Sequence, residues 1–198
     1  MTGQRGVFLV LEGLDGAGTT TQLERLAERL RSGGKDVLTT FEPSHGAVGV
    51  MVRALITSGT APDPTELALL FAADRLHHLR TEVLPALEAG VHVLCDRYVL
   101  SSLAYQSAEG VDVDWVAGLN SRAVAPDVTV FLDVPVEVCL ERIALRSDDP
   151  DHFHDPERLR AVDRAYRSVL HQDLLVVDGR PSQQAVTDAI WAQLAARF

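Results

Sequence analysis

The chain has 198 residues, the size of one α/β domain with a sizeable core. Hydrophobic residues make up 46% and charged residues 23%, and apolar runs such as Val7–Leu11 are far too short to span a membrane. A formal net charge of −10 argues against a nucleic-acid binder and means that an anionic ligand must be met by local clusters of cations.

Elements alternate along the chain. Val7–Glu12 reads as a buried strand that ends at glycines. Thr19–Arg31 follows as a helix, with Leu23, Leu26, Ala27 and Leu30 at helical spacing and Gly33-Gly34 as its stop. Asp36–Phe41 is the second strand. Gly46–Leu55 and Thr65–Leu87 read as helices, with Pro85 a candidate bend in the latter. Val91–Asp96 is the third strand, Tyr98–Gln106 and Val113–Ala123 are helices, and Val128–Asp133 is the fourth strand. Pro135–Leu145 is helical, Ser147–Pro156 is a polar loop, and Glu157–Val169 is a helix. Leu174–Asp178 and Ser182–Ala196 close the chain as strand and helix. Cys95 and Cys139 fall in apolar surroundings and are expected to be buried free thiols. Met1–Gly6 has no charged region followed by an apolar one, so no secretory leader is expected and the expected location is cytoplasmic.

Strands alternating with helices imply βαβ units, a parallel sheet and helices on both faces. Ligands bind such sheets beyond the carboxyl ends of the strands. Polar residues stand at those ends: Glu12 and Asp15, Glu42, Asp96 and Arg97, and Asp133.

The segment between the first strand and the first helix, Gly13-Leu14-Asp15-Gly16-Ala17-Gly18-Thr19-Thr20-Thr21, has the chemistry of a phosphate cradle. Glycines let backbone N–H groups turn inward around an anion, and the helix N-terminus adds the positive end of its dipole. Against the pattern G-x-x-x-x-G-K-[ST] it matches at Gly13, Gly18 and Thr20, but Thr19 stands where lysine belongs. Threonine donates a hydrogen bond and brings no charge. Lys35 is the only lysine and lies beyond the far end of the helix, on the order of 20 Å away. A replacement cation therefore has to be an arginine.

At this point the chain resembles the thymidylate kinases of the P-loop nucleoside-monophosphate kinase group. The resemblance rests on Glu12–Gly18 with Thr20, Thr21 and Gln22; on Thr40, Glu42 and Pro43; and on Leu69–Arg75. It continues through Cys95–Tyr98 with Ser101, Ser102 and Ala104–Gln106, then Leu132–Pro135 with Glu141, Arg142 and Arg146. Phe41 stands where that family usually has arginine. The resemblance implies a P-loop NTPase fold over residues 1–198, with a five-stranded parallel sheet and a small lid at about 142–160. It also implies ATP as phosphoryl donor, Mg²⁺, dTMP as acceptor and a homodimer.

Site roles follow from that resemblance and from the chemistry of each residue. Gly13, Gly16, Ala17, Gly18, Thr19, Thr20 and Thr21 would hold the ATP phosphates, and Thr20 and Asp96 the metal. Phe71 would stack on the pyrimidine and Arg75, four residues on, would meet a thymine carbonyl. Tyr105 and Gln106 would border thymine and sugar, with Glu42 and Ser101 on the substrate side. Asp96 would hold Mg²⁺ or orient the acceptor, and Asp15 would meet the deoxyribose or the reacting phosphate. Arg97 and Arg53 would bind the acceptor phosphate, and Arg142 or Arg146 would close from the lid and supply the cation that Thr19 lacks. Asp148, Asp149 and Asp151 would face solvent or metal, and His152 and His154 would be solvated. Two other readings stay open: a kinase for another acceptor such as dUMP, and a nucleotide-binding protein without catalysis.

Overall fold

The computed structural model describes residues 5–59, 62–145 and 155–198. Five strands, β1 (Phe8–Gly13), β2 (Val37–Phe41), β3 (His92–Asp96), β4 (Val128–Asp133) and β5 (Leu175–Asp178), pair in parallel in the order β2-β3-β1-β4-β5. The helices among them are α1 (Thr19–Ser32), α2 (Ala47–Ile56), α3 (Pro64–His78), α4 (Leu84–Glu88), α5 (Val99–Ala108), α6 (Val113–Leu119), α7 (Val136–Ala144), α8 (Pro156–Val169) and α9 (Gln183–Leu194).

All six residues of the central strand β1 are buried, because both faces of the sheet are covered. Phe8 and Val10 pack with Val93, Cys95, Leu79, Val83 and Leu87 on one face. Leu9 and Leu11 belong to the larger cluster, with Leu23, Leu26 and Leu30 of α1 and Ile190 of α9. This is the P-loop NTPase fold. The register ends the strands at one level: Leu11 pairs with Asp96, Gly13 with Leu132, and Phe41 with Asp96. The phosphate loop, the Asp96-Arg97 pair and Glu42 are thereby brought to the carboxyl edge of three adjacent strands.

Two elements differ from the sequence reading. The helix expected over Thr65–Leu87 is α3 and α4 joined by a π-helical turn, Leu79–Val83. Pro85 has no N–H and its ring clashes with the carbonyl four residues back, so widening the preceding turn lets the helix run on past it. The helix expected to Ala123 stops at Leu119, where the Asn120 side chain takes the Val116 carbonyl at 2.9 Å and ends the ladder. The loop expected over Ser147–Pro156 lies outside the described residues as far as His154, and so do Arg146, Asp148, Asp149, Asp151 and His152. Asp155 caps α8 through the Glu157 amide at 2.9 Å.

Both cysteines are free and buried. Burial pushes the Cys139 thiol up to about 12 and raises Cys95 well above its ordinary value, with Glu42 and Asp96 adding to the latter. A thiol at about 12 is thiolate at only about one part in 10⁴ at pH 8. We expect a thiol-specific chromogenic disulfide to titrate neither cysteine in the native protein at pH 8 and both in denaturant.

Candidate active site

The phosphate loop is built as its glycines require. Gly16 (φ +84°) and Gly18 (φ +99°) adopt backbone conformations that side chains disfavour, and a Cβ at Gly16 would come within 2.5 Å of the Cys139 carbonyl oxygen on α7. Helix α1 starts at Thr19 with no side-chain cap and no acid in its first turn, so its amide groups face the loop. Thr19 is buried, and its methyl packs against Gly13. Lys35 bonds the Phe198 carbonyl oxygen, which ties it to the C-terminus.

The Thr20 hydroxyl bonds Asp96 Oδ2. Asp96 Oδ1 is buried and has no hydrogen-bond partner. An orphaned carboxylate oxygen beside a hydroxyl at a phosphate loop fits Mg²⁺, which takes one or two protein oxygens and completes its shell with phosphate and water. No cluster of three acidic, histidine or cysteine ligands occurs among the described residues.

Arg97 is the one non-glycine residue among them with positive φ, +69°. Its Nη1 donates to the Gly13 carbonyl oxygen at 3.0 Å, and its Nη2 to Asp15 Oδ1 at 2.6 Å. The guanidinium lies over the Tyr105 ring, 5.1 Å from the centroid, with its side chain 21% exposed. Nε and the second Nη2 proton have no partner among the described residues, which leaves a two-pronged donor at the mouth of the loop.

Two further orphans lie on α5: the Tyr105 hydroxyl and Gln106 Oε1. Burial raises the Tyr105 pKa, the Arg97 charge opposes that, and Asp15 reinforces it. Asp15 and Arg97 both lie close to this hydroxyl, yet neither reaches hydrogen-bonding geometry with it.

On the neighbouring side, Arg75 of α3 is 1% exposed. Its Nε donates to Glu42 Oε2 at 2.7 Å, its Nη1 to Asn120 Oδ1, and its Nη2 to the Tyr98 carbonyl oxygen at 3.0 Å and Ser102 Oγ at 2.9 Å. One Nη1 proton is left without a described partner. Glu42 is spent on Arg75 and on His78, 3.2 Å away, so it orients Arg75 from below. Phe71, one turn earlier on the same helix, is half-buried. Arg53 of α2 donates to the Pro43 and Ser44 carbonyl oxygens at 2.7 and 3.2 Å and lies over Phe41, 5.2 Å from the ring centroid. Ser101 bonds Glu12 and lies 3.3 Å from Arg97 Nη1.

Arg142 of α7 also reaches the phosphate loop. It donates to the Ala17 and Gly179 carbonyl oxygens at 3.2 and 2.9 Å, lining a cavity of about 210 Å³ with Gly18, Thr21, Leu145 and Pro181. The other basic flanks of residues 146–154 are engaged elsewhere, Arg158 with Glu109 and Arg160 with Glu157. Asp133, a candidate from its place at a strand end, pairs with Arg167 instead.

A family model described as Thymidylate kinase matches residues 11–190. The chain belongs to the thymidylate kinase family. It is 39% identical over 195 residues to a probable thymidylate kinase of Pyrococcus abyssi, covering 95% of both chains. It is 41% identical over 194 residues to a thymidylate kinase of Thermomicrobium roseum, covering 93% of this chain and 92% of that one. A probable thymidylate kinase of Pyrococcus horikoshii is 47% identical over 147 residues, 72% of each chain.

Four side chains in this family site were not singled out from the sequence as site residues: Ser102, Asn120 and Tyr166, and Glu12 beyond its place at a strand end. Glu12 carried a signal, a carboxylate closing an apolar strand, which only a buried network can accommodate. Tyr166 and Asn120 lie far along the chain from their partners and look locally like ordinary helix residues.

Proposed function

We propose that the site transfers the γ-phosphate of ATP to dTMP, giving dTDP and ADP by in-line displacement. The observation that carries this reading is the free fork of Arg97 over the Tyr105 ring at the mouth of a phosphate loop, with Asp96 Oδ1, the Tyr105 hydroxyl and Gln106 Oε1 on the flanking strand and helix left buried and unpaired. Native proteins rarely leave such atoms unpaired, so each is read as a ligand contact.

On the acceptor side, Phe71 stacks on the pyrimidine. The free Nη1 proton of Arg75 donates to a ring carbonyl, and Gln106 Oε1 accepts the ring N3–H. A donor-only arginine held by Glu42 favours the carbonyl of thymine over the exocyclic amine of cytosine. Tyr105 borders the sugar, and Arg97 and Arg53 grip the acceptor phosphate, with Asp15 holding Arg97 at its place. On the donor side, the amides of Gly16–Thr21 cradle the ATP phosphates and Arg142 lines the pocket beyond Ala17. Thr20 and Asp96 would hold Mg²⁺, which would neutralise charge on the β- and γ-phosphates. Two guanidinium groups, Arg142 at Ala17 and Arg97 at Gly13, flank the loop whose lysine position is Thr19; Arg146 remains a second candidate from the lid at about 142–160. Removing Arg142 (Arg142→Ala) is expected to lower kcat/KM for ATP by about tenfold or more in steady-state kinetics, as loss of a charged phosphate-side contact would.

The same reading takes the protein as a cytoplasmic homodimer. Val50 and Met51 of α2 and Leu69 and Leu76 of α3 are exposed on two helices that pack together, which supports a covered face there. No described helix is long and apolar enough to cross a membrane.

The test is to mix the purified protein with ATP, Mg²⁺ and dTMP and to follow dTDP and ADP, with dUMP, dCMP and dGMP as parallel acceptors. Turnover is expected with dTMP first and dCMP poor. Nucleotide-dependent thermal stabilisation with no ADP from any acceptor would overturn the kinase reading in favour of nucleotide binding alone.

A further inference from the structure

Arg97, between β3 and α5, holds a left-handed backbone conformation that costs free energy, so contacts from other elements have to keep it there. They come from β1 and α8. Helix α5 has no side-chain cap of its own. The Glu12 carboxylate on β1 takes that role, with Oε1 accepting from the Tyr98 amide at 2.8 Å and the Ser101 amide at 3.2 Å. Its Oε2 accepts from the Ser101 hydroxyl and, at 3.1 Å, from the Tyr166 hydroxyl of α8. The two hydroxyl oxygens also lie 2.8 Å from each other, and both accept from Arg97 Nη1, at 3.3 and 3.4 Å. One hydrogen-bonded network thus joins Arg97 through two hydroxyls to one carboxylate. Burial raises the Glu12 pKa, and the Ser101 hydrogen bond and the Arg97 charge oppose it.

We propose that Glu12 and Tyr166 are positioning residues for the transfer step: with Ser101 they fix the Arg97 guanidinium against Gly13 and Asp15, and Tyr166 ties that geometry to helix α8. The inference rests on Arg97 gripping the acceptor phosphate.

Tyr166→Phe removes the hydroxyl and keeps the ring packed on Phe131 and Tyr105, with centroids at 5.2 and 6.1 Å in the native protein. Its kcat is expected to fall about tenfold or more, and its affinity for dTMP to weaken about as much, as a misplaced phosphate clamp would cause. Thymidine, which has the same base and sugar without the phosphate, should bind it within about twofold of the wild type, since it lacks the group that the clamp holds. Glu12→Gln should show the same pattern, and adding Tyr166→Phe to it should cost little more, because the hydroxyl acts through the carboxylate. Val162→Ala opens a cavity on the same helix and should lower Tm without altering the ratio of dTMP to thymidine affinity.

If Tyr166→Phe keeps the wild-type ratio and kcat, or weakens thymidine and dTMP equally, the inference is overturned and Arg97 is held by Gly13 and Asp15 alone. If the wild type makes no dTDP, the failure belongs to the kinase reading, and the binding ratio still reads the positioning role.

Discussion

Replacing Arg97 by alanine is expected to lower kcat for dTMP phosphorylation by about 10³-fold, the scale on which a guanidinium at a transferring phosphoryl group operates. The reason is positional. Arg97 reaches both the Gly13 carbonyl oxygen that opens the phosphate loop and the Asp15 carboxylate, and it keeps a free fork in the same mouth. With Thr19 in place of lysine, the loop itself supplies no side-chain cation. Arg97→Lys should recover only a small part of the loss. An ammonium supplies the charge but not the planar fork, and it cannot satisfy Gly13, Asp15 and a phosphate together. Both variants keep a side chain at φ of +69° and with it the backbone strain, which only glycine relieves. Arg97→Gly should therefore be as inactive as Arg97→Ala with a Tm at least as high. Steady-state kinetics with parallel thermal melts checks all three. A kcat for Arg97→Ala within tenfold of wild type would mean that the transfer charge is carried elsewhere, with Arg142 first in line.

Much of this site was legible in the sequence because its signals are local. The phosphate loop announces itself through spacing between a strand and a helix, and Gly16 and Gly18 do adopt the left-handed backbone that only glycine takes readily. The core face of α1, Leu23, Leu26, Ala27 and Leu30, follows from period alone, and these residues are buried. The Asp96-Arg97 pair was visible as charge at the end of an apolar run. What was not legible depends on long-range pairing. Arg75 reads as a fork for a ring carbonyl four residues after Phe71, and only the fold shows that four of its donors are spent inside the protein. Asn120 caps its own helix through Val116, but its side-chain oxygen accepts from Arg75, 45 positions earlier in the chain, which no local pattern encodes. The π-helical turn before Pro85 belongs to the same class. Periodicity located the proline but not whether the helix would break or widen around it.

The buried position of Arg75 leads to the largest expected effect on stability. Its guanidinium joins Glu42, Asn120, the Tyr98 carbonyl and Ser102, and it stacks over the Tyr98 ring at 5.1 Å. Substituting Arg75→Met removes one charge of a fully buried pair and strands the other. Glu42 is then left with the His78 ring nitrogen, 3.2 Å away, as its remaining side-chain partner. Breaking such a pair from one side costs about 3–5 kcal/mol, which corresponds to a Tm lower by roughly 6–20 °C in a protein of this size. The sign of a second change is the sharper test. Glu42→Gln added to Arg75→Met removes the stranded charge, so the double variant should be more stable than Arg75→Met alone, although it lacks one more native group. Both should lose dTMP affinity, since the donor proposed for the thymine carbonyl is gone. If Arg75→Met melts within about 2 °C of wild type, Arg75 is not the buried hub described here, because uncompensated burial of Glu42 could not be that cheap. If the double variant is the less stable of the two, the cost lies in the unpaired Asn120, Ser102 and Tyr98 acceptors rather than in the charge. Arg75 would then matter for its geometry of donation, which is the property the acceptor base is proposed to read.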